Sequence, residues 1–204
     1  EEECMYTFEE WKKNLIIVRG GGDIATGTIY KLYQSRFSVL VLEIANPSCI
    51  RRTISFCEAV FDKKVEVEGV TAKRAESLED AFAIYGQGQI PVMIDENGSM
   101  IQEVQPPVVV DAILAKRNLG TKITDAPAVI GVGPGFCAGK DVDAVIETQR
   151  GHNLGRVIYE GEAAPNTGIP GMIGGYAKER VIHAPATGKL HILRQLGEIV
   201  EAGD

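Results

Sequence analysis

A formal net charge of −7 over 204 residues leaves no basic field to attract nucleic acid or an anionic membrane, and 6% aromatic content gives no base-stacking platform. No apolar run approaches the ~20 residues a spanning helix needs, and the acidic start Glu1-Glu-Glu-Cys-Met5 does not read as a signal peptide. At 45% hydrophobic residues the chain has ample material for a core, arranged as one large domain or two small ones.

Residues 1–13 carry Phe8 and Trp11 among acids and lysines and read as a short helix. Leu15 to Val18 is an apolar, β-branched run that reads as a buried parallel strand. From Ile24 the period changes, and Ala25, Ile29, Leu32 and Tyr33 fall on one helical face. Gly20-Gly21-Gly22-Asp23 sits between them, and a second strand, Val39 to Leu42, ends on Glu43. Strand, glycine turn, helix and a second strand closed by an acid form the context of a dinucleotide-binding fingerprint. Gly20 allows the tight turn, Gly22 admits a pyrophosphate, and Ala25 takes the third small position. Gly21, Asp23 and Ile24 complete the loop, whose helix N-terminus offers free N–H donors to an anion. Glu43 is placed to bond a ribose diol. The competing reading is a glycine turn used only for packing, with Glu43 an ordinary strand end.

Asn46-Pro-Ser48 reads as a turn with Ser48 as a cap, followed by a helix carrying Ile50, Ile54, Cys57 and Phe61. Arg51 and Arg52 would then oppose the dipole of its first turn, either as a clamp on a ligand anion or as solvated side chains. Cys49 and Cys57 read as small buried hydrophobes of that helix, and the four cysteines contain no Cys-x-x-Cys pair, so no zinc site is expected and a reduced cytoplasmic setting is the default. Val65, Val67 and Val70 alternate as a half-buried strand. Ser77 caps a helix to Tyr85. Pro91 to Ile94 and Val108 to Val110 are further apolar strands, the latter followed by Asp111 and a short helix to Lys116. Asp111 is either a site acid at the carboxyl edge of the sheet or a helix N-cap.

The pattern to about residue 125 is therefore an α/β, Rossmann-like, mostly parallel sheet, domain 1–125. Beyond Pro127 helical periodicity stops, and Ala128–Val132, Val142–Thr148 and Leu154–Tyr159 read as strands of a β-rich domain, 126–204. Its run Glu147-Thr-Gln-Arg150-Gly-His152-Asn-Leu-Gly-Arg156 gathers an acid, a base and two cations at a turn. His152 is the candidate acid or base with Glu147 orienting it, and Arg150 and Arg156 are candidate phosphate or carboxylate binders. The competing reading is a polar hairpin tip. The segments Val181–Leu190 and Leu196–Asp204 resemble half of a biotinyl/lipoyl-type barrel, whose modified lysine would lie beyond Asp204, with Lys189 at the wrong place to replace it. Its unpaired strand edge leads to the expectation of a homo-oligomer or another partner.

In order along the chain, Gly20-Gly-Gly-Asp-Ile-Ala-Thr-Gly27, Ile50-Arg-Arg-Thr-Ile-Ser-Phe56, Val110-Asp-Ala-Ile-Leu-Ala-Lys116, Val132-Gly-Pro-Gly-Phe136, Val145-Ile-Glu-Thr-Gln-Arg-Gly-His152, Leu154-Gly-Arg156 and Asn166-Thr-Gly-Ile-Pro-Gly171 resemble the YqeB family. The resemblance runs from residue 14 to 204. It implies an accessory role in the selenium-dependent molybdenum hydroxylase system, with the hydroxylase apoenzyme and cofactor-maturation proteins as partners, and is similar in outline to the xanthine dehydrogenase accessory proteins. The ligand it implies is a molybdopterin dinucleotide or a related dinucleotide. An NAD(P)-dependent oxidoreductase and a non-catalytic scaffold are the alternatives. All three histidines, His152, His183 and His191, lie in the β-rich half, which disfavours a dehydrogenase with its proton donor in the α/β half.

Overall fold

The protein is described here from a computed structural model, covering residues 6–188 and 191–203. The chain divides into two compact units, Glu1–Pro165 and Asn166–Asp204.

The first unit is a nine-stranded sheet. Its strands are β1 (Leu15–Arg19), β2 (Ser38–Glu43), β3 (Lys64–Val67), β4 (Val70–Ala75), β5 (Ile90–Ile94), β6 (Val108–Asp111), β7 (Ala128–Val132), β9 (Ala144–Ile146) and β10 (Val157–Ile158), while β8 (Cys137–Ala138) and β11 (Gly161–Glu162) pair separately. The order is β10-β9-β7-β6-β1-β2-β5-β4-β3. All strands from β9 to β4 run parallel, and the two edge strands β3 and β10 are antiparallel. The mostly parallel α/β sheet expected from the strand–helix alternation is thus present. It does not stop at residue 125, because β7, β9 and β10 extend the same sheet and the division between units falls at Pro165.

The helices are α1 (Phe8–Lys13), α2 (Asp23–Gln34), α3 (Ala59–Asp62), α4 (Leu78–Gly86) and α5 (Ser99–Val104). Leu15 and Ile17 of β1 point into one core with residues of α1, α4 and α5, and Ile16 and Val18 point into the other with residues of α2 and α3. Both sheet faces are covered, as a parallel sheet requires, which is why β1 reads as a continuous apolar run. At six residues α1 is far below the ~12–15 an isolated helix needs. A capping box between Thr7 and Glu10 starts it, and the fully buried Trp11 anchors it against Phe82 and Tyr85 of α4.

Several expected elements differ. The helix after Ser48 is a loop followed by two short 3-10 turns, Arg52–Ile54 and Phe56–Glu58, and then α3; Ile50 is 88% exposed, so the helical spacing of Ile50, Ile54, Cys57 and Phe61 is coincidental. Val65 to Val70 is not one strand but a hairpin turned at Glu68 and Gly69, both with positive φ, the geometry of a two-residue turn. Residues 112–116 form a loop rather than a helix, and α5, between β5 and β6, is an element that sequence reading did not anticipate.

In the second unit the described residues form no strand ladder, only a bridge between Ile173 and Tyr176 and a 3-10 turn at Lys178–Arg180. The expected half-barrel is not formed there. Ile182 and Ile199 are each 96% exposed, so the apolar positions that would define it have nothing to bury against. Lys189 and Cys4 lie outside the described residues. Among the described residues no helix is long and apolar enough to cross a membrane.

Candidate functional site

β1 has β2 on one side and β6 on the other, so the chain reverses its direction of growth across the sheet at β1. Open α/β sheets bind ligands beyond the carboxyl ends of the strands at such a switch point. Here that place is a cavity of about 430 Å³, within the roughly 300–1,000 Å³ of small-molecule sites. Its walls are the glycine loop, the loop after β2, and Ala112–Leu114 with Lys116 after β6.

The three loop glycines do different things. Gly20 has φ +92, a left-handed value that favours glycine, and a Cβ there would lie 2.9 Å from the Ala112 carbonyl oxygen and the Ile113 Cα. A Cβ on Gly21 would lie 3.0 Å from the Cys57 nitrogen. Gly20 is required by the protein's own packing, and Gly21 is favoured by its close fit to Cys57. Gly22 is neither: it is the N-cap of α2 with φ −65 and ψ −180, which any residue adopts, and a Cβ there would meet nothing within 4 Å. It lines the cavity together with Asp23 and Ile24 of the first turn of α2. The first turn of a helix leaves backbone N–H groups without intrahelical acceptors, at the positive end of the helix dipole. Ala25 is fully buried against the sheet, the close helix–strand contact expected of the third small position.

Glu43, the last residue of β2, lines the same cavity. Its carboxylate accepts the Gly21 N–H at 2.8 Å and the Ile44 N–H at 2.8 Å. Burial pushes the Glu43 carboxyl up from its ordinary range, against the opposing pull of those two N–H bonds. The Gly21 carbonyl is also bound, accepting the Cys57 N–H at 2.8 Å and the Thr26 hydroxyl at 3.1 Å, while Thr26 Oγ1 accepts the Phe56 N–H at 2.9 Å. The glycine loop is therefore stitched to the end of β2 and to residues 56–57 before any ligand enters, a preorganised arrangement.

Asp111 closes β6 but does not line the cavity. It is 1% exposed, and its Oδ2 accepts the Thr121 hydroxyl at 2.6 Å and lies 3.6 Å from Arg19 Nη1, which itself donates to Thr121 Oγ1 at 2.6 Å. Its other oxygen accepts the Ile113 N–H at 3.1 Å. Asp111 thus holds the loop after β6 and neutralises a buried arginine; it caps no helix, because none follows. Arg51 lines the cavity and pairs with Asp23, with a largely exposed side chain. Arg52 is not part of the lining and lies near Glu58.

The second candidate cluster is not assembled. Glu147 is 6% exposed, and its carboxylate accepts the Gln149 N–H at 2.6 Å and the Ala164 N–H at 2.8 Å. Burial pushes this carboxyl up, but N–H bonds from Ala164, Gln149 and Thr148 outweigh it and hold the carboxyl below its ordinary range. Its oxygens serve the backbone, and no bond joins it to His152 among the contacts of the described residues. His152, Arg150 and Arg156 are exposed at the turn between β9 and β10, with the Arg156 guanidinium donating to Asn153 Oδ1 at 3.4 Å and its backbone carbonyl accepting the Glu147 N–H at 2.9 Å. The hairpin-tip reading describes this region.

Three features escaped sequence reading. Lys116 supplies a cation to the cavity from the loop after β6, a place the switch-point rule marks once the strand order is known. Arg19 is buried by its partner Asp111, and a charged strand end gives no sequence signal for that. Cys49 and Cys57 both line the cavity, which the helical reading of residues 49–61 concealed. Among the described residues no group of three His, Cys, Asp or Glu side chains could hold a metal ion.

No family model and no solved structure matches the chain. It is 52% identical over 190 residues, 93% of its length, to a protein of Escherichia coli (strain K12) named "Uncharacterized protein YqeB". The chain spans only 35% of that protein's length. At this identity the chain is a homologue of YqeB over nearly all of its own residues, which supports the YqeB family resemblance.

Proposed function

We propose that this chain binds a pyrophosphate-bearing dinucleotide between the glycine loop and the loop after β6. We further propose that it serves as an accessory protein in maturing a selenium-dependent molybdenum hydroxylase, or in delivering molybdenum cofactor to it. One observation carries the binding part: Gly22 is glycine at a position where neither backbone conformation nor packing asks for one, and it faces the cavity beside a helix N-terminus. Gly20, Gly21, Asp23, Ile24 and Ala25 shape the loop, and Glu43 stands where a ribose diol would sit. The accessory role rests on the family resemblance, with a molybdopterin dinucleotide as cargo and the apoenzyme and maturation proteins as partners, in the cytoplasm. The cations at the cavity, Arg51 and Lys116, suit a ligand with an anionic group beyond the pyrophosphate. Arg52, Arg150 and Arg156 add nothing to the cavity itself. A homo-oligomer, or closure of residues 181–203 against further chain, belongs to the same reading.

Calorimetric titration with NAD, NADP and cytidine-containing dinucleotides at fixed ionic strength tests it. Preference for a cytidine dinucleotide over NAD is the expected result. Micromolar NAD binding with substrate-dependent hydride transfer would replace it by the NAD(P)-dependent oxidoreductase. Absence of binding by any nucleotide at millimolar concentration would leave the non-catalytic scaffold.

A further inference from the structure

Asp23 is the first residue of α2, directly after Gly22, and its carboxylate pairs with the Arg51 guanidinium. Both residues line the cavity, so the pair joins the start of α2 to residues 44–51, a part of the wall that carries no helix or strand. The main chain of Arg51 is held in place. Its carbonyl accepts the hydroxyl of the fully buried Ser55 at 2.7 Å and the Ile54 N–H at 3.2 Å. Its side chain is 60% exposed, against 26% for Asp23, and neither charged group has another side-chain hydrogen bond or ion pair among the described residues. A fixed backbone with a solvent-facing guanidinium lets the cation turn to a second anion without moving the chain. An acid in the first turn favours the helix dipole and needs no ligand to explain it. Beside Gly22, however, it also sets a negative charge next to the place of the proposed pyrophosphate, and like charges in close range repel.

We propose, resting on the reading of the cavity as a pyrophosphate site, that Asp23 and the ligand compete for Arg51. The guanidinium exchanges the Asp23 carboxylate for a phosphate oxygen as the ligand enters. Asp23 is then the specificity-determining residue, because it sets the charge a ligand must bring. A diphosphate presents several anionic oxygens to the planar donor fork of arginine and so offsets the lost ion pair. A nucleoside without phosphate has nothing to exchange and leaves the pair intact. Lys116, the other cation of the wall, has no acid partner among the described residues, so its attraction for an anion does not pass through this exchange.

The test is calorimetric titration of the whole chain with cytidine diphosphate and adenosine diphosphate, beside the uncharged nucleosides. Asp23→Asn removes the charge with little change of shape. It is expected to tighten both diphosphates about two- to fivefold and to leave the nucleosides unchanged. Arg51→Gln is expected to weaken the diphosphates about tenfold, and in that background Asp23→Asn should give a smaller gain. A pair that only braces the wall gives the opposite sign: Asp23→Asn would weaken every ligand, nucleosides included, and that result overturns the proposal. An undiminished gain in the Arg51→Gln background also overturns it, because Asp23 would then act by repulsion alone. Should Asp23→Asn fold poorly, Asp23→Ser removes the same charge and carries the test. Wild type that binds neither diphosphate at millimolar concentration removes the pyrophosphate reading and the exchange together. Wild type that binds them, with no gain in Asp23→Asn, removes the exchange alone.

Discussion

Two glutamates, Glu43 half-buried and Glu147 buried, separate the two regions that looked chemically equipped. Glu43 at the glycine loop and Glu147 at the β9–β10 turn each accept backbone N–H groups through both carboxylate oxygens. Yet burial wins at Glu43 and raises its carboxyl, whereas hydrogen bonding wins at Glu147 and lowers it. The first acid stands in a cavity wall with a glycine, a helix start, cations and thiols around it. The second has its oxygens bonded to backbone N–H groups, one at Gln149 in its own turn and one at Ala164 after β11. A list of acids, bases and cations close in sequence does not make a site; strand order does, by bringing together loops distant in the chain.

The comparison is first sharpened at Asp111. If it is structural, Asp111→Ala leaves Arg19 buried and unpaired and should cost about 3–5 kcal/mol in urea unfolding. A variant of unchanged stability would return Asp111 to the list of site acids. Glu147→Gln should cost about 1–3 kcal/mol, because one oxygen that accepts a buried N–H becomes a donor. Its lowered carboxyl also sets a sign: that contribution is present above the ordinary glutamate range and is lost as pH falls through the folded-state value. Glu43 has the opposite sign. Its raised carboxyl makes the folded state bind protons more readily, so its effect favours folding below the ordinary glutamate range and fades as pH rises through the folded-state value. Glu43→Gln should flatten the second trend and leave the first, as read by melting temperature across pH 3–8. Identical pH profiles in wild type and Glu43→Gln would break the contrast. Smallest is His152→Ala: within about 0.5 kcal/mol of wild type in stability, and unchanged in nucleotide binding. A loss of binding there would reassemble the second site.

The sequence made the heart of the first unit legible because β1, the glycine turn, α2 and β2 follow one another and interact locally. Leu15, Ala25 and Glu43 took the places their pattern required. The segment 48–62 was misread because helical spacing of Ile50, Ile54, Cys57 and Phe61 cannot show that Ile50 and Phe61 face solvent. Asp111 at the end of β6 was read as a site acid or a helix cap, since the partner that decides its role, Arg19, is the last residue of β1 and far away in the chain. The domain boundary at 125 followed from the loss of helices, but a sheet can keep growing by parallel strands joined through loops, and β7 and β9 do so.

The most direct measurement is the dinucleotide affinity of Gly22→Val beside its unfolding free energy. A valine Cβ at this position meets no protein atom, so stability should stay within about 1 kcal/mol of wild type. The same branched side chain would occupy the space beside the α2 N-terminus, and affinity for the best-binding dinucleotide should fall at least tenfold, about 1.4 kcal/mol or more. Undiminished affinity in a folded Gly22→Val variant would contradict the account, because the phosphate would then be bound somewhere other than the glycine loop.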